Sequence, residues 1–366
     1  MWIVNLSCQS RDCGVLQMAM SLITNLTALT GRIERRGMRV TAPGVEIHYS
    51  LGLEQKRAPI KNISPTGVFL LTGDRWPPGS IVPLTMQTRS LLAKDSETQV
   101  QIPARVVRHD DDGVGMEFVL KSVTTAEWLA LFSKAVSMTR ENDAVRVFRT
   151  ARAFAFLVQI APVSWTEIVS VITKGMGGEQ AERAVNIVLT AETLWGSQNI
   201  APRKDESPLL IRQVVEEGSR IPDEQMRRYW AGMLVSTCCL DGSDSNASAA
   251  FVSLLSELAP IHVRILDGAG SRAIEAGWRP DSILQERFYC TAEQIKAITG
   301  VEDLTEIKSA LDGLDRLGLL EMTVKIGGDE CVNLTPTLLG LKFFARCSGQ
   351  TCCLRRVDPI NFQTAS

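Results

Sequence analysis

The chain has 366 residues, of which 45% are hydrophobic, and its 39 Lys and Arg nearly balance its 41 Asp and Glu. That length suffices for about two or three domains, each with its own core. The formal net charge of -2 excludes attraction of the whole chain to nucleic acid or an anionic membrane, so an anion site has to be a local cluster. The nine cysteines are odd in number and irregularly spaced, unlike a secreted disulfide framework, and we expect a reduced, cytoplasmic compartment.

The amino-terminal segment shows no clear hydrophobic period, and we interpret residues 1–32 as a flexible leader. Its apolar stretch, residues 14–29, is interrupted by Gln17 and Asn25. The stretch is too short and too polar for a membrane-spanning helix, and we expect no membrane span.

Short strands are predicted in residues 33–125. Runs of alternating or β-branched residues are separated by turn sequences rich in Pro, Gly, Asp and Ser. The runs cover 45–49, 67–71, 81–86 and 102–107, and the turns cover 64–67, 77–79 and 110–113. Strands at this spacing with no helix between them predict a small β-barrel or sandwich.

Beyond Thr124 the hydrophobic period becomes helical, and residues 126–280 are interpreted as an α-helical region. Within it, residues 240–250 are small and polar, which predicts a loop. The predicted helices cover 126–137, 142–160, 165–174, 179–195, 208–218, 223–239 and 251–276.

The order of elements in residues 281–346 is typical of a winged-helix-like module. Helices are predicted at 292–299 and 304–317, a hairpin at 322–335 and a final helix at 336–345, and residues 347–366 are interpreted as a tail. The second helix carries Lys308 and Arg316 but also three acidic residues, so it would neutralise phosphates poorly. This balance favours dimerisation or internal packing over DNA binding.

Three arginines lie close together before the first strand, in the segment 34–39. Arg35, Arg36 and Arg39 flank Gly37, which disfavours a stable helix. Guanidinium groups bind phosphate oxygens in pairs, match the O6 and N7 acceptors of guanine, and stack on purines. The segment therefore suits a ligand with both phosphate and guanine, although a solvated charge run gives the same pattern.

A second polar cluster follows, formed by Asn62, Ser64 and Gly67 at a turn between strands. Asn and Ser offer short hydrogen-bonding groups there, and Gly permits close approach of another backbone. An ordinary hairpin turn is the alternative interpretation.

Together the two clusters resemble the PilZ domain family, whose pattern is RxxxR followed by (D/N)xSxxG. Residues 35–39 carry the first motif and residues 62–67 the second. A strand in 40–49, a Pro-Pro-Gly turn at 77–79 and a Gly-x-x-Phe pattern at 115–118 also fit the family.

The resemblance implies a six-stranded antiparallel barrel that binds cyclic di-GMP at its surface. It further implies that Arg35 and Arg39 grip phosphate and guanine and that Arg36 adds a contact. The second guanine would meet the barrel at Asn62, Ser64 and Gly67.

Part of the helical region resembles the Abi-alpha family. Residues 208–236 contain a helix, an Asp-Glu start and a second helix centred on Trp230-Ala231. On physical grounds we expect Trp230, Met233 and Leu234 to pack in a core.

No catalytic motif is present: the sequence lacks G-x-S-x-G, a P-loop, HExxH and a dinucleotide-binding glycine motif, so we expect no enzyme. We also expect no metal, because the three histidines are not paired and Cys331, Cys347, Cys352 and Cys353 lack the spacing of a zinc site.

The sequence thus predicts an effector without a cofactor that couples cyclic di-GMP binding to a helical output and acts on an unknown protein partner. The sequence leaves open whether the chain forms a homodimer. The alternatives are a DNA-binding regulator using the winged helix, and a barrel that serves as a docking scaffold without ligand.

Overall fold

The computed structural model describes residues 45–51, 54–88, 99–120, 123–138, 144–160, 176–196, 208–239, 245–277, 287–321 and 331–349. The chain divides into two compact units, residues 1–155 and residues 156–366.

The first unit contains a closed, six-stranded antiparallel barrel, as the sequence predicts. Its strands follow one another around the barrel in the order β1-β2-β3-β6-β5-β4, so no edge is left open to pair with another chain. The strands are β1 (Val45–Leu51), β2 (Glu54–Ser64), β3 (Gly67–Leu70), β4 (Ile81–Thr88), β5 (Gln99–Asp110) and β6 (Gly113–Phe118).

Alternation along the strands builds the barrel core. In β5, Val100, Ile102, Ala104 and Val106 are at most 4% exposed, while the residues between them face outward. Each large apolar side chain buried in this way contributes about 1.5–3 kcal/mol. The core therefore fixes which residues of every strand lie on the outer face.

Two strands each carry one extra residue relative to their neighbour. The β2–β3 register shifts between Ile60 and Asn62, and the β5–β6 register shifts between Val106 and Arg108. Such bulges bend a strand locally and change the direction in which nearby side chains point.

Aromatic side chains cover one end of the barrel in the first unit. Helix α1 (Thr125–Met138) contributes Trp128, and helix α2 (Ala144–Ile160) contributes Phe148; both are 2% exposed. Phe148 meets Phe118 of β6 edge to face, with ring centroids 5.3 Å apart. The helix near Thr124 is thus confirmed and belongs to the barrel's packing.

The second unit is helical, and one helix is buried at its centre. Among the described helices, α5 has Trp230, Met233 and Leu234 at 0% exposure, which confirms their predicted core role. The helices are α3 (Gly178–Gly196), α4 (Pro208–Arg220), α5 (Glu224–Cys239), α6 (Ser245–Ser256), α7 (Pro260–Glu275), α8 (Ala292–Thr299), α9 (Leu304–Arg316) and α10 (Leu338–Cys347).

Two helix predictions were wrong. Helix α6 begins at Ser245, inside the loop predicted at 240–250. In this helix, buried Ser248 accepts a hydrogen bond from Arg346 at 3.3 Å, a tertiary contact that periodicity does not reveal. The single helix predicted at 251–276 is broken before Pro260, which has no N–H to continue a helix and instead starts α7 at its first turn.

Residues 287–349 follow part of the winged-helix order. Strand β7 (Tyr289–Thr291) pairs with β8 (Cys331–Asn333), and α8 and α9 lie between them in sequence. The predicted wing at 322–330 lies outside the described residues, so the winged-helix module stays a prediction. So do the leader, the helix at 165–174 and most of the tail. None of the described helices is long and apolar enough to cross a membrane.

Candidate functional site

The described part of the predicted site is the β2–β3 hairpin. Asn62 and Ser64 end β2, Gly67 begins β3, and Ser64 pairs with Gly67 across the turn. The Ser64 hydroxyl donates to the Gly67 carbonyl at 3.2 Å. The structure thus brings these three residues together at the tip of one hairpin.

The three predicted arginines, Arg35, Arg36 and Arg39, lie outside the described residues. Their position against the hairpin stays a prediction.

Packing alone requires a glycine at position 67. A Cβ there would lie closer than 3.0 Å to the Met116 carbonyl oxygen and 3.4 Å from the Glu117 Cα, both on β6. Real Cβ atoms essentially never approach backbone so closely. The motif glycine therefore lets β3 and β6 pair, whatever it does for a ligand.

The hairpin tip is held from two sides. The Phe118 amide donates to the Thr66 carbonyl at 2.9 Å, and the Trp128 indole donates to the Pro65 carbonyl at 2.7 Å. These bonds fix the backbone that carries Ser64 and Gly67. A hairpin already held in one conformation loses little entropy when a ligand binds.

Cross-strand pairing extends the site along the outer face of the barrel. Asn62 pairs with Phe69, Phe69 with Gly115, and Gly115 with Arg108. Directly paired residues point to the same face of a sheet, so these four residues lie side by side across β2, β3, β6 and β5. Because Gly115 has no side chain, Arg108 can lie across it, with its Cγ 3.0 Å from where a Cβ would be.

Two cations lie over the Phe69 ring, one from Arg108 and one from Lys61, the extra residue of β2. The Lys61 ammonium is 5.1 Å from the ring centroid, and the Arg108 guanidinium carbon is 5.7 Å from it. The ring is only 3% exposed although Phe69 lies on the outer face of the barrel. Such geometry is favourable by about 0.5–1 kcal/mol for each exposed cation.

Carboxylates of the β5–β6 turn neutralise both cations. Lys61 forms an ion pair with Asp112, and Arg108 forms one with Asp110 at 3.4 Å. The hydrogen bond from Lys61 lowers the pKa of Asp112 below its ordinary value. We name Lys61, Phe69, Arg108 and these two aspartates the cation row.

The sequence does not predict the cation row. Lys61 lies at one bulge and Arg108 next to the other, and neither bulge has a sequence signature. The Asp-Asp-Asp-Gly sequence at 110–113 was recognised only as a turn.

A separate polar cluster fixes the loop between β3 and β4. The Tyr49 hydroxyl donates to Asp74 at 2.8 Å, and the Lys56 ammonium donates to the same carboxylate at 3.0 Å. The hydrogen bond from Lys56 lowers the pKa of Asp74, and burial raises the pKa of Tyr49. From this loop, Arg75 donates to the carbonyl oxygens of Asp110 and Asp111, which holds the backbone of the acidic turn.

Comparison with protein families agrees with both resemblances. Residues 33–133 match the PilZ domain, and residues 182–332 match the family described as abortive infection alpha. The first match contains the whole barrel and both motifs of the sequence analysis. A search of curated proteins finds no match.

Proposed function

We propose that the barrel is a receptor for cyclic di-GMP and that it couples ligand binding to the helical half of the chain. The observation that carries the proposal is the β2–β3 hairpin. It presents the Asn62 and Ser64 side chains from a backbone held by Phe118 and Trp128, within the region that matches the PilZ domain.

The chemistry of the hairpin suits a guanine edge. The Asn62 amide offers a donor and an acceptor, and the Ser64 hydroxyl, which donates to the Gly67 carbonyl in the structure, accepts through its lone pairs or exchanges that bond for one to the ligand. Both side chains are partly exposed and so accessible to a ligand. Guanine presents acceptors at O6 and N7, which such groups and arginine forks bind.

The arginines supply the remaining affinity in this proposal. Arg35 and Arg39 bind phosphate and guanine, and Arg36 adds a contact. Charge-assisted hydrogen bonds contribute about 1.5–3 kcal/mol each. A few of them, less the entropic cost of association, give about -8 kcal/mol, which corresponds to micromolar binding.

Calorimetric titration of the full chain with cyclic di-GMP tests the receptor role. We expect micromolar or tighter binding by the wild type, and its loss in Arg35→Ala/Arg39→Ala. The matched control is Arg57→Ala, which removes an exposed arginine from β2 five positions before Asn62. An equal loss of affinity in Arg57→Ala would show a general effect of charge. If the wild type gives no heat of binding with cyclic di-GMP, the barrel is a docking scaffold without ligand.

Coupling to the helical half is the second part of the proposal. Binding of one ligand by residues 35–39 and by the hairpin changes what the neighbouring segments contact. We expect cyclic di-GMP to lower protease cleavage near Arg35 and to change amide hydrogen exchange in residues 208–239. Protection confined to residues 33–133 would restrict the function to binding.

The DNA-binding alternative gains no support from charge. The exposed side chains on helix α9 include Lys308 and Arg316, but also Glu306 and Asp312. Equal numbers of opposite charges release few counterions from a duplex. Salt-dependent retention of the chain on DNA would reverse this conclusion.

A further inference from the structure

The cation row contains cations that neither sequence motif includes. Lys61 is the extra residue of the β2 bulge, and Arg108 follows the extra residue of the β5 bulge. Both lie over the same phenyl ring, whose strand partner on the β2 side is Asn62. The two bulges therefore place the Lys61 ammonium and the Arg108 guanidinium on the surface beside the hairpin.

Both ion pairs in the cation row are open to solvent. The side chains are 48% and 48% exposed for Lys61 and Asp112, and 47% and 43% exposed for Arg108 and Asp110. Exposed ion pairs contribute little to stability, because water competes for both partners. The carboxylates can therefore leave the cations at low cost.

We propose that Lys61 and Arg108 form a phosphate-binding subsite, and that Asp112 and Asp110 occupy it when no ligand is bound. This inference rests on the proposed function, since the anion is a phosphate of cyclic di-GMP. A phosphate offers the same oxygen acceptors as a carboxylate and replaces the aspartates on the two cations. The Phe69 ring keeps both cations in place when the carboxylates leave.

The backbone of the acidic turn is held in place while its carboxylates are replaced by phosphate. Arg75 holds its backbone through the Asp110 and Asp111 carbonyl oxygens, so side chains can rotate away without unfolding the turn. The turn then acts as an internal competitor of the ligand. Removing the competing carboxylate raises affinity, and removing the cation lowers it.

The chain provides a matched control within the same turn. Asp111 lies between the two paired aspartates, and among the residues that the structure describes its carboxylate makes no ion pair. Asp111→Asn therefore removes the same charge as Asp112→Asn without freeing a cation. General electrostatic effects on an anionic ligand are equal in the two variants.

The experiment is titration of the full chain with cyclic di-GMP at a single salt concentration. We expect Asp112→Asn to bind about two- to fivefold more tightly than Asp111→Asn, the range given by exposed ion pairs. We expect Lys61→Gln to bind at least about fivefold more weakly than the wild type, because a charged contact to phosphate is lost. All of these positions are exposed, and thermal unfolding confirms that each variant is folded.

The outcomes separate this inference from the function on which it rests. Wild-type binding with equal affinities for Asp112→Asn and Asp111→Asn would overturn the subsite and leave the receptor role intact. Unchanged binding by Lys61→Gln would overturn it as well. No binding by the wild type or by Asp112→Asn would refute both, whereas binding by Asp112→Asn alone would support the internal competitor.

Discussion

Replacement of the motif glycine tests whether Gly67 serves the fold independently of any ligand. The new Cβ of Gly67→Ala would lie closer than 3.0 Å to the Met116 carbonyl oxygen. That oxygen belongs to the backbone of β6, which pairs with both β3 and β5 and cannot move alone. The β3–β6 pairing must therefore open or shift to admit the methyl group.

The cost follows from this overlap. Forcing one extra carbon into a packed site costs about 1–3 kcal/mol. We expect Gly67→Ala to lower the free energy of unfolding of the barrel by that amount, about 2 kcal/mol, in the absence of nucleotide. Hydrogen exchange of β3 and β6 amides measures it, since exchange reports the opening free energy of each segment separately.

Gly73→Ala is the control. Gly73 is exposed, and an added Cβ meets nothing within 4 Å. If the β3 and β6 amides exchange at the same rate in Gly67→Ala and Gly73→Ala, the close approach of β6 does not explain why position 67 is a glycine. Its requirement would then have to lie in ligand binding.

Three further predictions concern other contacts. Trp128→Phe removes the indole donor to the hairpin tip and should lower barrel stability by about 1 kcal/mol and weaken ligand binding, measured by urea unfolding and titration. The hydrogen bond from Lys56 lowers the folded-state pKa of Asp74, so the stabilisation from this bond is present above the unfolded pKa of about 4 and is lost as pH falls through the folded pKa. Asp74→Asn should therefore flatten the pH dependence of stability below about pH 4, measured by urea unfolding at a series of pH values. Gly232→Ala should destabilise the second unit by more than about 1 kcal/mol in thermal denaturation, because the new Cβ would overlap the backbone at the end of α10. The control Gly196→Ala should unfold like the wild type, because an added Cβ at position 196 meets nothing within 4 Å.

The barrel was predictable because its signals are local. Alternating strands and turn sequences mark most of its elements, and the two motifs resemble one family. Strand β2 was the exception. Its exposed residues include Glu54, Arg57 and Lys61, and a charged strand with a bulge loses the alternation that identifies strands.

The candidate site was only half predictable because part of it is not local in sequence. Asn62, Ser64 and Gly67 lie within residues 62–67, so one motif contains all three. Lys61 and Arg108 come together only through strand pairing and two bulges, which depend on the closed barrel. Likewise, Ser248 is buried in a helix because Arg346 reaches it from a distant segment.

The proposed receptor role depends on recognition of cyclic di-GMP by the β2–β3 hairpin. Equilibrium binding of cyclic di-GMP to the full chain and to Asn62→Ala, with GTP as a reference ligand, tests it most directly. We expect micromolar binding of cyclic di-GMP that is tighter than GTP binding and falls by about two- to tenfold in Asn62→Ala. Equal binding of the two ligands, or equal affinity of the variant and the wild type, would contradict it.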